Sequence, residues 1–192
     1  MARIPSINDS IKGDIESYGD SVEQFVYENG SRYEEAFSGF LMSYVKDDPI
    51  LKNFYIRFVF ECEIIKIVID KQTKINLSRL EMLVDNMETA PNTEILAVYD
   101  SQFHQELFDI ADREEFFDWF RLQSKDLSTF LSGFWKAIGY GTDYYHELLI
   151  IHKEIFNAVK EKNKDKAVEM MERHFSILLF QLLGTMFSQR KN

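Results

Sequence analysis

Two histidines, His152 and His174, stand eleven residues on either side of Asn163, the centre of the polar stretch Glu161-Lys-Asn-Lys-Asp165. Read as a turn between two antiparallel helices, that stretch places each histidine roughly 16 Å along its own helix at about 1.5 Å per residue, so the two stand level. A second pair, Asp100 and His104, is separated by one helical turn and projects from one face. A hairpin carrying His152 and His174, laid against the helix of Asp100 and His104, brings three imidazoles and one carboxylate to a single point.

The neighbours of these four residues put that point inside the protein. Asp100 and His104 continue at helical spacing into Leu107 and Ala111, with Phe103 alongside. His152 shares a stripe with Leu148, Leu149, Ile155, Phe156 and Val159, and His174 sits among Met170, Met171, Ile177 and Leu178. Burying such polar groups unpaired costs about 2 to 7 kcal/mol each, a cost that a shared metal ion removes by accepting their lone pairs. The donor set suits zinc foremost, and also nickel, manganese or iron. Each piece alone has a plainer reading: an Asp-x-x-x-His is often a surface pair, and a single buried histidine is usually hydrogen-bonded core. His146, six residues before His152 and on another face, is expected at the surface.

The rest of the chain reads as helix. Asp47-Asp48-Pro49 is a cap followed by proline at the first helical position, opening a segment with Phe54, Ile56, Phe58, Val59, Ile64, Ile65, Ile67 and Val68. Ser78-x-x-Glu81 has the pattern of a capping box. Asn92 or Thr93 starts the helix of Asp100, residues 113–135 give a Phe-rich helix, and Gly139 and Gly141 break the chain before the helix of His152. No stretch alternates with β-branched residues. The expectation is an all-α antiparallel bundle of six to eight helices with an internal metal and ligand pocket.

Composition restricts the setting. The 192 residues, 45% of them hydrophobic, suffice for one buried core. The one cysteine, Cys62, excludes an intrachain disulfide framework and points to a reducing, cytoplasmic setting. The first residues hold no apolar signal core, and the longest apolar run, near residues 176–187, is interrupted by Gln181 and too short to span a bilayer. No membrane association is expected.

Asp100-x-x-Phe103-His104, His152-x-x-Ile155-Phe156-x-Ala158-Val159 and Asp165-x-Ala167-Val168 ahead of His174-Phe175 together resemble the FCD domain, the effector-binding domain of FadR-type regulators in the GntR family. Arg57-Phe-Val-Phe-Glu61 is similar to that family's first-helix motif, and the resemblance runs over roughly residues 50–187. It implies a divalent metal held by Asp100, His104, His152 and His174, a small organic acid bound at or beside the ion, and a homodimer. Arg57 would then be a partner for the acid's carboxylate, a role that bidentate guanidinium geometry suits, or else an ion pair of Glu61 at the rim. Where the family commonly reads Ser-Gly-Asn, this chain reads Ala111-Asp112-Arg113. Arg113 either adds a second cation for an acidic effector or points outward.

Regulators of this kind carry a winged helix-turn-helix ahead of the effector domain. Residues 1–48 are expected instead to form a helical extension, with helices near residues 7–27 and 33–45, leaving residues 49–192 as the effector and metal-binding bundle. Ser31-Arg32-Tyr-Glu-Glu35-Ala36 only faintly resembles a recognition helix. Residues 1–50 hold Arg3, Lys12, Arg32 and Lys46 against ten acidic residues, a net of minus six, the wrong sign for neutralising phosphates. This chain alone is therefore expected not to bind nucleic acid. Three functions stay open, in this order: a metal-containing organic-acid sensor, a stand-alone metal-dependent enzyme using the open coordination positions, and a metal-free interaction bundle. No nucleophile or general base beyond the four residues is apparent, so no catalytic residue is assigned.

Overall fold

The computed structural model describes residues 24, 28, 48–71, 77–113, 116 and 142–189, all of whose regular structure is helical. Five long helices follow in order: α1 (Pro49–Lys71), α2 (Ser78–Glu88), α3 (Thr93–Ile110), α4 (Asp143–Lys160) and α5 (Lys164–Gln189). The expected helices at 7–27, 33–45 and 113–135, and the glycines at 139 and 141, lie outside the described residues, apart from Gln24, Arg113 and Phe116.

Helix α1 begins where its sequence requires. The Asp48 carboxylate accepts from the amides of Ile50 at 2.9 Å and Leu51 at 3.2 Å, and Pro49 fills the first helical position, where an N–H would have no intrahelical partner. Beyond it, Phe54, Ile56, Phe58, Val59, Phe60, Ile64, Ile65 and Val68 are all buried. Apolar positions on every side of a helix make it a central one. Accordingly α1 packs against α3, α4 and α5, and Phe58 meets Phe175 of α5 at 5.4 Å between ring centroids.

Helices α4 and α5 form the hairpin expected from the polar stretch, which turns at Glu161–Asn163. The Lys162 amide donates to Val159 O and the Asn163 amide to Ala158 O, with Lys162 at φ 60°. This is the paired closure of a helix by a left-handed residue. The Asn163 side chain then accepts from the Lys166 amide and opens α5. The end of α3 closes identically, with Asp112 at φ 54° and the Arg113 amide donating to Phe108 O at 2.8 Å. Asp112 thus takes the left-handed position that glycine commonly fills, which aspartate tolerates.

One local expectation is overturned. The cap position of α2 falls on Leu77, so Ser78 is already inside the helix rather than at its cap. Glu81 faces outward and pairs with Lys160 of α4 at 3.2 Å. By contrast Asn92, rather than Thr93, caps α3, its side chain accepting from the Ile95 amide at 2.9 Å.

Candidate metal centre

Three helices supply the site. Asp100 and His104 lie on the inner face of α3, His152 on α4 and His174 on α5. The hairpin register sets the two α4 and α5 imidazoles 4.7 Å apart between ring centroids, and His104 lies 4.9 Å from His174 and 5.5 Å from His152. One donor atom from each of the four residues lies within 4.8 Å of all the others. The three histidines are buried, and the Asp100 side chain keeps 17% of its exposure. His146 is exposed, as its position off the apolar face requires.

Tautomers follow from the partners behind the rings. His152 Nδ1 lies 2.8 Å from Leu148 O, a carbonyl that can only accept, so the hydrogen is on Nδ1 and the lone pair is on Nε2. That Nε2 stands 3.0 Å from Asp100 Oδ1. Two acceptors at this separation repel unless a cation lies between them. His104 Nε2 is 3.7 Å and His174 Nε2 3.9 Å from the same oxygen. Asp100 Oδ1 and all three Nε2 atoms are buried without a hydrogen-bond partner. For donors at about 2.1 Å from one ion, neighbouring donors stand about 3.0 Å apart in an octahedron and about 3.4 Å in a tetrahedron; the Asp100–His152 pair stands at that spacing and the other two somewhat wider, a cluster that could hold a divalent ion.

Behind His104 stands a residue that spacing alone does not assign to the site. Glu61 of α1 is fully buried, and its carboxylate takes the hydrogen of His104 Nδ1 through Oε2. Its Oε1 accepts from Arg57 Nε at 2.6 Å, one turn back along α1. Burial would raise the Glu61 carboxyl, but Arg57 and then His104 overcome it and hold it at about 2. Burial would likewise lower His104, yet the carboxylates of Glu61 and Asp100 lift it to about 9. In the ion-free protein a proton on His104 therefore supplies the cation that the clustered acceptors need. His174 goes the other way: burial, aided by the neighbouring His152 and His104, outweighs Asp100 and lowers it to about 3. Asp100 itself, despite burial, is held well below the usual carboxylate range by the three neighbouring histidines.

The two arginines singled out in the sequence are differently placed. Arg57 is mostly buried, paired to Glu61, with its guanidinium 5.8 Å from the centre of the Phe175 ring, next to His174. Arg113 lies beyond the end of α3, past six further residues of helix after His104, roughly 9 Å at about 1.5 Å per residue. Its Nη1 donates to Asp112 O at 2.6 Å, and its Nε is buried without a hydrogen-bond partner.

Neither a curated protein nor a solved structure matches the chain. A family does: the FCD domain matches residues 54–176, a span that begins in α1, ends in α5 and contains all four candidate ligands. With well over half of its length matched, the chain belongs to the FCD domain family, the effector-binding regulatory domains of GntR-type regulators, which are not enzymes.

Proposed function

We propose that this chain is a metal-containing sensing domain for a small organic acid, with Asp100, His104, His152 and His174 as ligands of one divalent ion. The observation that carries this reading is the set of four buried, unpartnered donor atoms, with Asp100 Oδ1 and His152 Nε2 only 3.0 Å apart. Zinc is the foremost candidate, ahead of nickel, manganese and iron, on the strength of three imidazoles and one carboxylate. Metal binding by other FCD domains supports it. An ion that prefers six ligands keeps two positions after these four, enough for a carboxylate and an adjacent hydroxyl or keto oxygen. Arg57, paired to Glu61 and set over the Phe175 ring, is one candidate to meet such an acid; Arg113, beyond the end of α3, is the other.

The same reading takes residues 49–192 as the sensing unit, residues 1–48 as a separate helical extension, and a homodimer as the working form. With a net of minus six over residues 1–50, contact with nucleic acid falls to something other than this chain. No helix among the described residues is long and apolar enough to cross a membrane, and the single buried thiol of Cys62 fits a reducing cytoplasm.

The test is metal analysis of the purified, untagged protein beside its Asp100→Ala and His152→Ala variants. About one equivalent of a divalent ion that disappears in both variants is expected. Full metal content in either variant, or none in the parent with variants of equal stability, refutes the site.

A further inference from the structure

Of the three histidines, only His104 is backed by a charged group. His152 Nδ1 donates to the neutral Leu148 carbonyl, and His174 Nδ1 is buried without a hydrogen-bond partner, whereas His104 Nδ1 donates to the Glu61 carboxylate. Glu61 reaches it from a different helix, and α1 is otherwise apolar around this level: Phe58, Phe60, Ile64 and Ile65 are all buried. A fully buried carboxylate in such surroundings is costly unless every lone pair has a purpose. Arg57 satisfies one oxygen at 2.6 Å, and the other is aimed at the histidine.

We propose that Glu61 is a positioning residue of the metal centre: held by Arg57, it fixes the ring of His104 with hydrogen on Nδ1 and turns a more basic Nε2 lone pair toward the ion. The inference rests on the metal reading above. A carboxylate behind a ligating imidazole locks its tautomer and raises its donor strength, and loss of such a partner typically costs ten- to a hundredfold in metal affinity. Glutamine has the same shape but not the same effect. Its amide nitrogen must face either Arg57 Nε–H, donor against donor, or His104 Nδ1, which then becomes the acceptor and leaves hydrogen on Nε2, where the ion should be.

The experiment is a competition titration of zinc against a chromophoric chelator on the full chain, with ion-free folding checked by circular dichroism. Glu61→Gln should retain one equivalent of zinc with affinity lowered ten- to a hundredfold. The cobalt-loaded protein should also show a displaced visible spectrum, which a change in stability alone would not produce. Because the effect passes through His104, it should shrink to twofold or less when Glu61→Gln is made in a His104→Ala background. Glu61→Asp, which keeps the charge but draws it back by one methylene, should fall between parent and Glu61→Gln, and it serves if the glutamine variant does not fold. A parent that takes up no ion overturns both readings. A parent that binds zinc while both Glu61 variants stay within twofold of it, or an undiminished loss in the His104→Ala background, overturns only the role of Glu61.

Discussion

Raising the pH of the ion-free protein from 6.5 to 9 should destabilise it steeply, and adding metal should abolish that dependence. His104, wholly buried between two carboxylates, is raised from 6.5 to about 9. A group whose value is raised on folding adds stability that is present in full below its unfolded value and is lost as the pH climbs through its folded one. The loss therefore falls between pH 6.5 and 9. At about 1.36 kcal/mol per pH unit, the interval is worth about 3 kcal/mol, or a fall in Tm of about 6 to 12 °C for a chain of this size. On the acid side His174, held down to about 3, works in reverse: it stays neutral in the fold while the unfolded chain takes up a proton, so stability falls again below pH 6.5. The assay is thermal and urea denaturation of chelator-treated protein followed by circular dichroism from pH 5 to 9, repeated with saturating zinc. The ion-free profile should peak near pH 6.5, and its alkaline limb should vanish with zinc, which replaces the proton, and in His104→Gln. Equal stability at pH 6.5 and 9 without metal, or the same fall in His104→Gln, would refute the argument.

Three further outcomes test the frame that holds the site. Lys162 turns the α4–α5 hairpin at φ 60°, a conformation costing side-chain-bearing residues about 1 to 2 kcal/mol; Lys162→Gly should recover up to about 1 kcal/mol by urea denaturation, the remainder being offset by the freer unfolded chain. Phe175 is buried against Phe54 at 5.3 Å and Phe58 at 5.4 Å, so Phe175→Ala should cost about 3 to 5 kcal/mol, and a loss below 1 kcal/mol would show that this contact is not core. Replacing Asn92 by alanine removes the cap of α3 and should lower stability by about 1 kcal/mol, seen as a lower urea midpoint with an unchanged slope.

Helical periodicity and turn chemistry determine much of this protein locally. The Asp48-Pro49 start, the Asn163 turn and the one-turn spacing of Asp100 and His104 depend on neighbours within a few residues, and so does the level placement of His152 and His174, because a hairpin between straight helices has one register. The capping pattern at Ser78 is the counterexample: four residues fit the box, yet the helix begins at the cap position of Leu77 and Glu81 turns to Lys160 on another helix, a contact no local pattern contains. Only the packing of α1 against α3 set Glu61 behind His104. In sequence Arg57-x-x-x-Glu61 is a common helical ion pair, and an acidic residue on a helix apolar on all sides was the one signal that it needed a buried partner. Which partner depends on how two helices, carrying residues 43 apart in the chain, pack side chain into side chain. Spacing along one helix sets which groups share a face, but the distance between faces is fixed by the volume of the residues that separate them.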